Sequence, residues 1–154
     1  MEKNHTVIDT PIGKLGICIE DNSITQVNFL SPSAALIPPT SPLSKKVVAQ
    51  INHYFSDPNT VFDLPLHFNG TPFQHRVWQY LAKMAPGTTI TYGELAKLLR
   101  TSARAIGNAC RHNPIPLIVP CHRVLAKNSV GGFMGQKTGK FTNIKRHLLT
   151  HESP

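Results

Sequence analysis

The sequence predicts an α+β chain in two lobes: a small antiparallel sheet with one covering helix over residues 1–70, then a helical lobe with a helix-turn-helix over residues 71–154. Three observations predict it. Residues 6–29 are short β-type runs broken by turn formers, the pattern of a meander. After the turn Asn69-Gly70-Thr71-Pro72 the apolar spacing changes from two to between three and four, which is helical. Two helix-start signals, Thr91 and Ser102, then follow within eleven positions of each other.

In the first lobe, Leu15, Ile17 and Ile19, and then Val27 and Phe29, share one parity, so one face of the sheet needs a cover. Residues 31–42 are rich in serine and proline and read as loop. Leu43, Val47, Ile51 and Tyr54 or Phe55 then supply a helical stripe that ends before Asp57-Pro58-Asn59, and this helix is the natural cover. Residues 61–68 contain Pro65 and so form an edge strand or a linker.

In the second lobe, Phe73, Val77, Leu81 and Met84 form a stripe widened by Trp78, expected in the core, and Pro86-Gly87 stops the helix. Thr91 and Glu94 have capping-box spacing, and Leu95, Leu98 and Leu99 give the next helix its buried face. The helix after Ser102 is expected to turn Ala103, Ile106 and Cys110 inward and Arg104, Asn108 and Arg111 outward. Ala105, Gly107 and Ala109 keep it slim, so it can approach a nucleic-acid backbone, and Arg104 lies in its first turn, where amide dipoles favour phosphate. A last helix carries Phe141, Ile144 and Leu148 and ends at Glu152, an acid at the helix end that the dipole disfavours.

Sixteen Lys and Arg against eight Asp and Glu, a net charge of +8, point to a polyanionic partner. No apolar run approaches a membrane span, and Met1-Glu2-Lys3-Asn4-His5 leads into no signal-peptide core, so a cytoplasmic protein without a membrane partner is expected. Cys18, Cys110 and Cys121 are odd in number and scattered, which suits reduced thiols and neither a disulfide framework nor a metal knuckle.

The stretch richest in chemistry is Ile115-Pro116-Leu117-Ile118-Val119-Pro120-Cys121-His122-Arg123-Val124. A short apolar β-type run bracketed by prolines delivers a thiol, an imidazole and a guanidinium together. An isolated cysteine is most often a small buried apolar residue. Here the neighbouring cations are expected to lower the thiol pKa from about 8.5 and so supply thiolate, the nucleophilic form. In an extended segment, however, residues 121 and 122 point to opposite faces, so His122 reaches Cys121 only through a bend or a bridging water.

Pro120-Cys121-His122-Arg123-Val124 preceded by Asn113-Pro114, with Phe73-Gln74-x-x-Val77-Trp78, Thr91-Tyr92-Gly93-Glu94-Leu95-Ala96, Arg104-Ala105-Ile106-Gly107 and Leu148-Leu149-x-x-Glu152, closely resembles the O6-alkylguanine-DNA alkyltransferases. The resemblance covers residues from about 72 onward, with the first lobe matching loosely a ribonuclease-H-like domain and the second implying a helix-turn-helix of winged-helix type. It implies a monomeric DNA-repair protein acting on double-stranded DNA. The alkyl group of O6-alkylguanine, and of O4-alkylthymine, would move irreversibly to Cys121 after nucleotide flipping, with no metal or other cofactor.

It also assigns roles. His122, through a water, and Glu152 behind it would deprotonate the thiol; Tyr92 would assist the departing guanine; Asn113 would brace the turn before the cysteine. Arg104 would hold the gap left by the extruded nucleotide, with Tyr92, Gln74, Asn108, Arg111 and Lys127 as further DNA contacts. Pro116, Val124, Phe133, Met134 and Lys145 would shape the substrate pocket. Phe133 and Met134 depart from the family's usual residues, and the loop over residues 135–142 is longer than usual. Two other readings are a lesion-binding protein without transfer, which Cys121 argues against, and a cysteine hydrolase built on Cys121, His122 and Glu152.

Overall fold

The computed structural model describes residues 3–136 and 139–153. Strands β1 (Thr6–Thr10), β2 (Gly13–Glu20) and β3 (Ser23–Leu30) form the antiparallel sheet β1-β2-β3. Leu15 pairs with Phe29 and Ile17 with Val27, which puts the apolar parity on one face. Both sheet edges are covered by short backbone bridges, a common protection against unwanted strand pairing. On β1 the cover is Ile37, whose amide and carbonyl both bond Val7. On β3 it is Pro65 and His67 at Ile24, and the carbonyl of Pro114, which accepts the Val27 amide at 3.0 Å. Residues 61–68 are thus a linker with one bridge, between Ile24 and Leu66.

Helix α1 (Pro42–Ser56) starts at Ser41, whose hydroxyl accepts from the Ser44 amide while the Ser44 hydroxyl takes the Ser41 amide. It buries Leu43, Val47, Ile51 and Tyr54. Helix α2 (Pro72–Ala82) has the same reciprocal cap between Thr71 and Gln74, and buries Val77, Trp78 and Leu81. The Trp78 indole N–H donates to the carbonyl of Ala109 at 2.9 Å, so this large ring is both packed and satisfied.

Strand β4 (Ile90–Thr91) leads through the Thr91/Glu94 capping box into helix α3 (Tyr92–Leu99). Arg100 closes α3 in the left-handed region at φ 56°, and Ser102 then caps helix α4 (Ala103–Arg111). The short connection between them makes the expected helix pair. Strand β5 (Val124–Leu125) pairs with β4 in parallel, and helix α5 (Lys140–Glu152) ends the described fold. The expected long loop over residues 135–142 includes residues 137 and 138, which lie outside the described residues; its end is already helical from Lys140.

Three local expectations are corrected, the first being Leu98, which is exposed while Leu95 and Ala96 form the buried face of α3. Residues 115–119 are not a β-type run but a succession of turns, with Leu117 in the left-handed region at φ 73°. Proline at 116 and 120 withholds two amides from any strand ladder, and the Asn113 carboxamide binds both ends of the turn. Ala103 is exposed, and Ala109 joins Ile106 and Cys110 on the buried face of α4. One apolar core runs through both lobes, and Phe29 of β3 stacks edge-on against Phe133 and Phe141 with centroids 6.0 and 5.6 Å apart. Among the described residues no helix is long and apolar enough to cross a membrane.

Candidate active site and nucleic-acid interface

Cys121 opens a single 3-10 turn, Cys121–Arg123, that follows the bend at Asn113. Asn113 holds that bend shut: its Nδ2 donates to the Val119 carbonyl at 2.8 Å, and its Oδ1 accepts the Ile115 amide at 2.9 Å. Leu117, a branched residue at positive φ, adds a strained position that the surroundings must enforce, and such positions gather at functional sites. The turn replaces the extended geometry and lets Cys121 line a cavity while His122 and Arg123 both reach Glu152.

Cys121 is 3% exposed and forms part of the wall of a cavity of about 790 Å³. Tyr92, Arg104, Asn108, Arg111, Phe133 and Met134 line the same cavity, together with Ala103, Gly107, Cys110 and Arg146. A Cβ placed on Gly107 would meet nothing within 4 Å, so the cavity-facing side of α4 is open. At Gly131 the chain passes so close to Tyr92 that a Cβ would lie 3.0 Å from the ring, and its φ of 76° also favours glycine.

The two residues after the thiol belong to a buried hydrogen-bonded cluster around Glu152. His122 Nε2–H donates to Glu152 Oε2 at 2.8 Å, and its Nδ1 is buried without a hydrogen-bond partner. The tautomer follows from the carboxylate, which can only accept. Arg123 donates from Nε to Glu152 Oε1 at 2.8 Å, from Nη2 to Oε2 at 3.1 Å, and from Nη1 to the Met84 carbonyl at 2.7 Å. Tyr54, from α1, donates its O–H to Oε2 at 2.5 Å. Glu152 ends α5, where the dipole opposes it, but the bidentate arginine more than compensates.

Burial pushes the Glu152 carboxyl up, yet hydrogen bonds from His122, Arg123 and Tyr54 together hold it well below the usual carboxylate range. Burial pulls the His122 imidazole below its ordinary value, against the opposing pull of Glu152, so it rests neutral with a free lone pair on Nδ1. The expected lowering of the thiol pKa is not found. Burial pushes Cys121 up to about 11, only partly offset by Asn113 and the Lys145 cation. The reason is geometric: Arg123 is turned onto Glu152 and His122 is neutral, so neither supplies a positive charge to the sulfur. A thiol this weakly acidic needs a base, and the free nitrogen of His122 is the buried atom suited to act as one.

Lys145 is fully buried; its Nζ donates to the Val124 and Gly132 carbonyls at 2.6 and 3.0 Å and lies 5.6 Å from the Tyr92 ring centroid. Burial lowers its pKa to about 8, opposed by the two nearby thiols. It tethers the glycine loop rather than lining the cavity, and Pro116 and Val124 are likewise buried outside the lining. Gln74 is engaged as the α2 cap, and Lys127 is exposed; neither lines the cavity.

Residues 72–154 match the family model described as the DNA-binding domain of 6-O-methylguanine DNA methyltransferase, and residues 4–68 match the model of its ribonuclease-like domain. The chain belongs to the 6-O-methylguanine DNA methyltransferase family. A constitutive methylated-DNA–protein-cysteine methyltransferase of Bacillus subtilis is 36% identical, over 96% of this chain and 94% of its own. The crystal structure of the Mycobacterium tuberculosis O6-methylguanine methyltransferase superposes with a TM-score of 0.79 at 36% identity, covering 97% of this chain and 93% of that one. A structure of the M. tuberculosis OGT protein in complex with DNA gives 0.78 at 37% identity, covering 96% and 93%.

In this methyltransferase-family chain, sequence reasoning did not anticipate the roles of Arg123, Tyr54, Cys110 and Arg146. The guanidinium of Arg123 was assigned to the thiol, whereas it clamps a carboxylate 29 positions away. Tyr54 was visible as one more apolar position on the α1 stripe, and nothing local marks its hydroxyl as functional. Cys110 packs inward as expected, but at the rim of the cavity.

Proposed function

We infer that this chain repairs DNA by moving the alkyl group of O6-alkylguanine, and of O4-alkylthymine, from duplex DNA to its own Cys121 after the nucleotide is flipped out. The carrying observation is that one cavity is lined by both Cys121 and the Arg104 face of α4, while the residue next to that cysteine in the chain is a buried neutral histidine bonded to a carboxylate. In the reaction Cys121 Sγ forms a bond to the alkyl carbon as that carbon's bond to oxygen breaks. The thiol proton passes through a water to His122 Nδ1, and the guanine leaves as an anion hydrogen-bonded by the Tyr92 O–H, then takes one proton from solvent to become the neutral base, while His122 returns its proton to solvent. Burial raises the Tyr92 phenol, which therefore stays a donor.

The product is a thioether, which offers water no electrophilic carbonyl, so each molecule reacts once; a cysteine hydrolase on the same residues would turn over. Arg104 occupies the gap in the duplex, and Asn108 and Arg111 on the same helix, with Lys127, contact the backbone. Gln74 supports the interface as part of the α2 cap. Asn113 braces the thiol turn; Phe133 and Met134 wall the pocket; Pro116, Val124 and Lys145 support that wall from behind. The protein acts as a monomer in the cytoplasm, where its three free thiols stay reduced.

Incubation with O6-benzylguanine, as free base or within a duplex, is expected to add one benzyl group per chain, read by intact mass. Cys121→Ser remains unmodified. An unshifted wild-type mass under reducing conditions overturns the reading, and release of more than one equivalent of guanine per chain favours the hydrolase.

A further inference from the structure

The first lobe reaches into the relay. Tyr54 is fully buried near the end of α1, 98 positions from Glu152, and its hydroxyl donates to the same Oε2 that holds His122. The ring is fixed from three sides: Phe55 edge-on at 5.1 Å, Phe62 tilted at 5.6 Å and His151 edge-on at 5.0 Å between centroids. The Tyr54 carbonyl accepts from His151 Nε2 at 2.7 Å, which ties α1 to α5 at the same residue. A phenylalanine would fill this space equally well, and burying a hydroxyl is costly unless it finds a partner. The partner it finds is the carboxylate oxygen on which the histidine depends.

That oxygen takes three donors: His122 Nε2–H, Arg123 Nη2–H and Tyr54 O–H. The charged and titratable groups facing His122 are Glu152 and Arg123, with Lys145 adding a repulsion. Of these neighbours, Glu152 alone draws a proton onto the imidazole. Each hydrogen bond that Oε2 accepts from elsewhere spreads its negative charge and weakens that draw.

We propose that Tyr54 is a positioning residue for alkyl transfer: its hydroxyl, supplied by the N-terminal lobe, holds the Glu152 carboxylate on His122 while reducing its basicity, so that His122 rests neutral and can take the Cys121 proton. The inference rests on the alkyl-transfer reading above. During the reaction the Tyr54 proton stays on its own oxygen, and the His122 Nε2 proton stays shared with Glu152. Only Nδ1 gains a proton, the one lost by the thiol. The first lobe therefore helps to set the basicity of the residue that takes the thiol proton, and the ribonuclease-like lobe is more than a cover for the second.

The test is the pH dependence of benzyl transfer from free O6-benzylguanine, which needs no DNA contact, in full-length Tyr54→Phe. Without the hydroxyl, Glu152 draws harder on the imidazole, and the acid limb of the rate profile moves to higher pH by about one unit, the scale of one hydrogen bond to a charged group. The deficit relative to wild type grows as pH falls. Titration of the His122 ring nitrogens by NMR shows the same upward displacement. Difluorotyrosine placed at position 54, a stronger donor, moves the limb the opposite way, and Tyr54→Phe added to Glu152→Gln moves it no further. An equal loss at every pH with an unmoved midpoint, or displacement of the same size in the Glu152→Gln background, overturns the proposal. If wild type itself takes up no benzyl group, it is the alkyl-transfer reading that fails; if wild type reacts and the Tyr54→Phe midpoint stays put, only the Tyr54 inference does.

Discussion

Cys121 separates two regions built on opposite principles. On one side, His122, Arg123, Glu152 and Tyr54 are buried and bonded to one another, so that a charged pair and a neutral base survive away from water. On the other, Ala103, Arg104, Gly107, Asn108 and Arg111 face an open cavity, and Gly107 has open space above it. In the proposed reaction the first region activates the thiol whatever the substrate, and the second recognises what carries the alkyl group. Damage to the first should appear with every substrate and in stability. Damage to the second should appear only with duplex DNA.

The largest effect is expected at Arg123. Its removal leaves Glu152 as a buried carboxylate with only neutral donors, and breaking a buried pair from one side costs about 3–5 kcal/mol. Arg123→Ala should therefore lower the denaturation midpoint sharply, measured by urea titration. A loss below about 1 kcal/mol would mean that the pair behaves as an exposed one.

Arg104→Ala tests the other region. Holding an unstacked step open costs a few kcal/mol, and losing about 2 kcal/mol of that support slows transfer from duplex roughly 30-fold. Transfer to Cys121 from the free base should change little, since Arg104 is exposed and belongs to no buried cluster. Equal losses on both substrates would remove Arg104 from the flipping step.

The relay side should also be the acid-labile side. The folded-state values of both His122 and Glu152 lie below their ordinary ones of 6.5 and 4.5. In each case the unfolded chain binds the proton first as pH falls, so stability present at neutral pH is lost on acidification, beginning near the histidine value and steepening near the carboxylate value. Thermal unfolding of wild type should show this decline. His122→Gln, which can still donate to Glu152, should flatten the part between about pH 6.5 and 5.

The same contrast explains what the sequence disclosed. Caps at Thr91 with Glu94 and at Ser102 are local hydrogen bonds, legible from residues three apart. The apolar face of the sheet followed from parity, and the buried Trp78 from its stripe. The substrate side was largely legible too, because α4 carries Arg104, Asn108 and Arg111 on one helix. The relay was not. Its bonds join residues 29, 30 and 98 positions apart, and neither Tyr54 nor Arg123 differs locally from a core tyrosine or a surface arginine. Residues 115–119 misled for a related reason: β-branched residues between prolines suggest extension, whereas Asn113 side-chain bonds and a left-handed Leu117 close a turn.

The smallest effect has the sharpest sign. Gly107 lies inside α4, where glycine costs about 1 kcal/mol relative to alanine, and a methyl group there would meet no neighbour. Gly107→Ala should thus stabilise the fold by roughly 0.5–1 kcal/mol, read as a raised melting temperature. The same methyl would stand in the cavity between α4 and an approaching phosphate backbone, so transfer from duplex should slow by a few-fold while transfer from the free base is kept. Stability and duplex activity then move in opposite directions in one variant, which no general damage to the fold can produce. Faster or unchanged transfer from duplex would show that DNA does not approach along this face of the helix.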